Sequence, residues 1–169
     1  MKIKLILDNI RSTYNVGAIL RSADGFGVEE VIFGGVTPLF NDPALLPHLQ
    51  AKLNRAIAKT ALGAEKNVRC RRPSNLIEEL SRLKSSGWQL VGLENNLKDQ
   101  RLHSLSESGL SNLLGEKIIL ILGEEVSGVS AELRKLADYF IEIPMQGKKE
   151  SFNVAVATGI ALYGLQNLA

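Results

Sequence analysis

Short apolar runs alternate along this chain with longer stretches in which apolar residues recur every three or four positions. The run at 3–8 reads as a buried strand, and 31–34, 89–93, 117–122 and 139–143 read as further strands. Helices are expected over 15–25, 52–62, 74–84, 130–137 and 153–168. Gly63 and Gly87 supply helix stops, Ser74 and Ser130 stand where N-caps belong, and Pro144 ends the last strand. A loop through Pro38, Pro43 and Pro47 follows the second strand. Strand and helix alternate with short connections, which predicts an α/β fold with a mostly parallel sheet and helices on both faces. No repeat, low-complexity stretch or linker interrupts the pattern, so residues 1–169 are expected to form a single domain.

Composition narrows the class. A chain of 169 residues is long enough for a real core, and 45% hydrophobic with 22% charged residues excludes disordered and collagen-like chains. The single cysteine, Cys70, cannot close an internal disulfide and has no neighbouring histidine to activate it. This fits a reducing compartment. The N-terminal apolar run meets Asp8 at once, too early for a signal peptide. The longest apolar stretch, 154–165, is interrupted by Thr158 and Gly159 and is too short to span a bilayer. A soluble, cytoplasmic protein without a membrane segment is expected.

The net charge of +2 says little, but its distribution says more. Between residues 52 and 72, seven basic residues (Lys52, Arg55, Lys59, Lys66, Arg69, Arg71 and Arg72) face one acid, Glu65. Such a cluster is either a phosphate-contacting surface or a solvated helix face, and the sequence weighs the two equally.

Several chemistries lack their residues. There is no phosphate-loop sequence and no Gly-x-Ser-x-Gly elbow. Gly25-Phe26-Gly27 lacks the third glycine of a dinucleotide fingerprint and sits at a helix end. His48 and His103 have no carboxylate or cysteine at ligand spacing, so no metal site is expected. Three segments rich in glycine and polar residues remain, at strand ends or helix starts: 9–21, 121–130 and 141–154. Each has a plain structural reading. Asn15 is a plausible helix cap, and Arg21 an ordinary helical arginine, solvated or paired with Asp24 or Asp8. The second segment is a strand-to-helix turn with exposed backbone N–H groups. The third is a helix capped by Ser151 or Asn153, whose N-terminus suits a carboxylate or phosphate.

Taken together and in this order, the three segments resemble the signature motifs of the SpoU/TrmH family of SPOUT RNA ribose 2′-O-methyltransferases. The first is similar to Asn-x-Gly-x-x-x-Arg, at Asn15, Gly17 and Arg21. The second is similar to Gly-x-Glu-x-x-Gly, at Gly123, Glu125 and Gly128. The third is similar to Ile-Pro-Met-x-Gly-x-x-x-Ser-Leu-Asn-Val, at Ile143, Pro144, Met145, Gly147, Ser151, Asn153 and Val154. Phe152 stands in place of the usual Leu, Ala155 in place of a small polar residue, and Glu124 in place of a frequent Asn.

The resemblance implies S-adenosylmethionine-dependent methyl transfer to a ribose 2′-hydroxyl of RNA, on a fold with a C-terminal trefoil knot. The cofactor loops would be 93–96, 122–128 and 143–152. Their binding residues would be Leu93, Glu94, Leu122, Gly123, Glu125, Gly128, Ile143, Met145, Gly147, Ser151, Phe152 and Asn153. Arg21 would be the leading catalytic residue, gripping the substrate phosphate; Asn15 would position Arg21 or the ribose, Glu125 would hold the cofactor loop or orient Arg21, and Ser151 and Asn153 would order the loop and the target nucleotide. Arg11, Lys52, Arg55, Lys59, Arg69, Arg71, Arg72, Lys148 and Lys149 would contact RNA. A homodimer through the C-terminal helix is implied, with Ala157, Ala161 and Gly164 as a small-residue strip permitting close approach. The chain holds little besides the catalytic domain, which favours tRNA over rRNA as substrate. The rival readings are the same reaction on rRNA, a non-catalytic RNA-binding protein on the same fold, and an α/β enzyme acting on a small molecule.

Overall fold

The computed structural model describes residues 1–95, 97–98, 101–124 and 126–168. Among these described residues seven strands form one sheet: β1 (Lys2–Asp8), β2 (Glu30–Gly34), β3 (Cys70–Arg71), β4 (Gln89–Leu93), β5 (Leu102–Ser104), β6 (Lys117–Leu122) and β7 (Tyr139–Glu142). The α-helices of the described residues are α1 (Thr13–Gly25), α2 (Pro47–Ala61), α3 (Leu76–Ser85), α4 (Leu110–Leu113), α5 (Ala131–Leu136) and α6 (Val154–Gln166). The strand order is β3-β2-β1-β6-β4-β7-β5, and every pairing is parallel. The expected mostly parallel α/β sheet is therefore present.

Alternation along the strands divides the core into two layers. Ile3, Leu5 and Leu7 of β1 point to one face, where Val16, Ile19 and Leu20 of α1 and Ala161, Leu162 and Leu165 of α6 cover them. Ile6 points to the other face, against Leu80 and Leu83 of α3 and Leu133 of α5. Both faces of the central strands are apolar because both are buried, as parallel sheets require. All strands run the same way, so their carboxyl ends and the loops leaving them gather at one rim.

The helix starts differ from expectation in ways that matter for the site. Ser12, not Asn15, caps α1; its hydroxyl accepts from the Asn15 N–H at 3.3 Å. Asn15 thus sits in the first turn of the helix and not at its cap. Helix α2 begins at Pro47, before the expected start at 52, since proline is well suited to a first helical turn. Asn75, not Ser74, caps α3. Ser130 precedes α5 without a side-chain capping bond, its N–H instead donating to Asp8 at 2.8 Å. Asn153 rather than Ser151 caps α6, accepting from the Ala155 N–H at 3.0 Å. Strands β3 and β5 and helix α4 were not expected from the pattern.

Candidate functional site

A cleft of about 320 Å³ opens at the strand carboxyl ends. Three chain segments build it: Leu93 to Asn95 after β4, the loop between β6 and α5, and the segment between β7 and α6. Leu93, Glu94, Leu122, Gly123, Gly128, Ile143, Ser151 and Phe152, all expected around a cofactor, line it together. Arg134 of α5 and Ala157 of α6 complete the walls.

The glycines of the middle loop are there for steric reasons. The loop folds back so that Glu124 and Gly128 form an antiparallel bridge, with the Gly128 N–H donating to the Glu124 carbonyl at 3.0 Å. A β-carbon on Gly123 would overlap the Gly128–Val129 peptide. Gly128 has φ +68°, a left-handed conformation, and a β-carbon there would overlap the Glu94 carboxylate. That carboxylate accepts from the Val129 N–H at 2.7 Å and from Arg134 at 3.0 Å. Arg134 also donates to the Ser127 carbonyl at 2.9 Å, locking the loop to α5. Asn95 donates to the Ile143 carbonyl at 3.4 Å and the Glu150 carbonyl at 3.1 Å, tying the first segment to the third. Asn95 and Ser127 lie within the expected loops 93–96 and 122–128 without having been singled out, and Arg134 lies outside them. Asn95 adjoins two expected residues, but nothing in the sequence separates Arg134 from any arginine on a short surface helix.

Asn153 connects the third segment to the first: its side-chain amide donates to the Asn15 Oδ1 at 3.1 Å. Residues 138 apart in sequence thus meet beside the cleft, where Ser151 and Phe152 line it. Met145, Gly147, Asn15 and Asn153 are not among the lining residues. Arg21 is also outside the cleft, exposed on the outward face of α1 that it shares with Tyr14 two turns earlier. It pairs with neither Asp8 nor Asp24: Asp8 accepts from Asn9 and Ser130, and Asp24 from Asn67. Glu125 lies outside the described residues.

The basic residues separate into two groups. Lys52, Arg55 and Lys59 are exposed on α2, on the side opposite the fully buried Ile57. Lys148 and Lys149 are exposed between β7 and α6, and Arg11 is exposed with Glu124 3.8 Å away. Lys66 is exposed as well, while Arg69, Arg71 and Arg72 are ion-paired within the chain. Glu30, 2% exposed, receives Lys4 at 2.8 Å, Arg71 at 2.8 Å and Arg69 at 3.1 Å. Arg71 also bridges to Glu79, which holds Arg82 at 2.7 Å. Arg72 pairs with Asp42 at 2.9 Å and donates to the Thr37 carbonyl. Burial alone would raise the Glu30 carboxyl, but the Arg71 and Lys4 hydrogen bonds and charges hold it below its ordinary range. Burial and the Glu30 charge push the neighbouring Cys70 thiol up to about 12, far from a reactive thiolate.

The small-residue strip of α6 is used within the chain. Ala161 is fully buried, Ala157 lines the cleft, and a β-carbon on Gly164 would meet Leu105 at 2.8 Å. The outward residues of α6 are instead Val156 and Tyr163, 51% and 63% exposed. Among the described residues no cluster of three metal-ligating side chains occurs, and no helix is long and apolar enough to cross a membrane.

A parallel α/β sheet with a three-loop polar cleft at its carboxyl rim defines a ligand-binding α/β protein. The sequence profile of the SpoU rRNA Methylase family matches residues 2–163, and the chain belongs to that family. A protein of Staphylococcus saprophyticus, named for the TrmH family of tRNA/rRNA methyltransferases, is 31% identical over 160 residues. That match takes in 94% of this chain but 56% of the relative, so the chain spans little more than half the length of such relatives. The A. aeolicus TrmH/SpoU tRNA modifying enzyme is 27% identical with a TM-score of 0.76, the match covering 99% of this chain and 75% of that one. The SpoU methyltransferase AviRb of Streptomyces viridochromogenes, solved with AdoMet, shares the fold at 24% identity and a TM-score of 0.74, over 96% of this chain and 58% of its own.

Proposed function

We propose that this chain is an S-adenosylmethionine-dependent RNA methyltransferase that modifies a ribose 2′-hydroxyl, of tRNA in preference to rRNA. The observation that carries the reading is that the second and third motif segments line one cleft, with the first motif tied to the third by the Asn15–Asn153 hydrogen bond. The S. saprophyticus, A. aeolicus and AviRb relatives support it.

The cleft suits the cofactor. Its volume of about 320 Å³ is that of a small-molecule site, and a β-carbon on Gly123 or Gly128 would intrude on the loop that shapes it. Leu93, Leu122, Ile143 and Phe152 offer apolar cover for a flat base, and Glu94 offers a fixed carboxylate as acceptor. When bound, S-adenosylmethionine supplies an electrophilic methyl group on positive sulfur. The protein's task is then to align the hydroxyl and help its proton depart. Asn15 and Asn153 hold one another and present the edge of the cleft to the target nucleotide, with Ser151 ordering the loop before α6. An arginine stays protonated at any ordinary pH, so Arg21 serves as a phosphate clamp and electrostatic aid, not as a base. The reading includes a trefoil knot in the C-terminal third and a homodimer packed on α6 through the face carrying Val156 and Tyr163. It also places the protein in the cytoplasm.

Calorimetric titration with S-adenosylmethionine, followed by mapping of ribose methylation in unmodified tRNA and rRNA, tests the reading. Binding together with a single new 2′-O-methyl in tRNA is expected; no cofactor binding would refute it. Arg21→Lys keeps the charge but loses the planar fork, so most turnover should vanish while cofactor affinity stays. Near-normal turnover in that variant would rule out the clamp.

A further inference from the structure

Of the cationic residues between 52 and 72, those bonded to Glu30, Glu79 or Asp42 are already committed. Besides Lys66, which lies beyond α2, Lys52, Arg55 and Lys59 are not. Among the described residues none of the three side chains has an ion-pair or hydrogen-bond partner, and they occupy one row along the outside of α2. Successive members are about 4.5 and 6 Å apart along the helix axis. A single row of charges at this spacing follows the phosphates of one strand; a duplex would present two rows across a groove.

The row leads to the cleft. The Thr60 hydroxyl, next to Lys59, donates to the Tyr14 carbonyl at 2.9 Å, which pins the end of α2 to the first turn of α1. The following residue, Asn15, contacts Asn153 at 3.1 Å, and Ser151 and Phe152 of that segment line the cleft. Tyr14, whose carbonyl takes the Thr60 bond and which precedes Asn15, is itself 52% exposed on α1. An exposed aromatic ring beside a phosphate-binding row is a platform on which an unpaired base stacks.

We infer that the outer face of α2 and the Tyr14 ring form a track for single-stranded RNA, resting on the RNA substrate proposed above. Lys52, Arg55 and Lys59 hold consecutive phosphates, and Tyr14 stacks on a base next to the nucleotide delivered to the cleft. The substrate is then an unpaired loop or end, not the body of a stem.

Fluorescence anisotropy of the whole chain with a labelled unstructured RNA 12-mer, against a hairpin stem of equal length, tests the track. The unstructured RNA should bind more tightly, with a log–log salt slope near −2, as about three phosphate contacts on a single strand give. Simultaneous Lys52→Glu, Arg55→Glu and Lys59→Glu should remove most of that slope and lower affinity by about 100-fold, while S-adenosylmethionine binds as to wild type. Tyr14→Ala should weaken RNA binding about tenfold, Tyr14→Leu nearly as much, and Tyr14→Phe little, because stacking needs the ring and not the hydroxyl. Equal affinity for the stem, or an unchanged salt slope in the triple variant, would overturn the track. So would a sedimentation change in Tyr14→Ala, which would assign the ring to a contact between copies of the chain. Absence of cofactor binding by the wild type would refute the methyltransferase reading instead, and the anisotropy results do not depend on it.

Discussion

Gly17 and Gly128 belong to two of the three sequence motifs, yet they serve different ends. Gly17 lies where α1 crosses α2, and a β-carbon there would overlap the Thr60 hydroxyl and the Ile57 carbonyl. Gly128 has a left-handed backbone pressed against the Glu94 carboxylate. Gly17→Ala should therefore cost about 1–3 kcal/mol of stability through overpacking, with cofactor affinity retained. Gly128→Ala should displace Glu94 and lose cofactor affinity out of proportion to any fall in melting temperature. Thermal unfolding and calorimetric titration of both variants check the contrast; cofactor affinity lost equally in the two would count against it. The motifs announced these positions but not their roles. A glycine needed for helix crossing and one needed for positive φ look alike in sequence. Asn15 shows the same limit: a residue type that often caps helices stands three residues past the true cap, and its amide oxygen accepts from Asn153 instead.

At the level of elements, the long strands and helices were legible because each covers several periods of its pattern. Strands β3 and β5, with two and three residues, cover hardly one. The pairing of the basic stretch was illegible for a related reason. Glu30, Glu79 and Asp42, which claim Arg69, Arg71 and Arg72, come from other elements and are brought up only by folding. Their network fastens the edge strand β3 to β2 and α3. Glu30 and Glu79 are both held below their ordinary value of 4.5, so the network stabilises the fold above that pH and the contribution fades as acid protonates them. Glu30→Gln should cost roughly 3–5 kcal/mol at neutral pH, since it leaves Lys4 and Arg71 without their buried counter-charge. Urea unfolding between pH 7 and pH 3 should show the wild type losing stability more steeply than the variant below about pH 4.5. Parallel curves would show that the network contributes nothing of the kind.

For the molecule as a whole, fold class followed from the alternation of strand and helix, but strand order did not. Nothing local in 117–122 says that β6 inserts between β1 and β4, since any apolar six-residue run has the same preference. That insertion pairs Lys2 with Lys117 and Leu7 with Leu122, and Gln89 with Ile118 on the other side. It has a consequence for biosynthesis. During translation β1 and β4 must wait with open, adhesive backbone edges until residues 117–122 leave the ribosome, so half of the sheet is assembled by its sixth strand acting as a keystone. Ribosome-stalled chains ending before 117 should be digested readily by protease and captured by holdase chaperones, and protection should appear abruptly once β6 has emerged. Gradual protection, strand by strand, would show that the halves fold independently. If the keystone holds, the interval between synthesis of β4 and of β6 is when the newborn chain is most exposed to aggregation, and a pause in translation there would be the most harmful one.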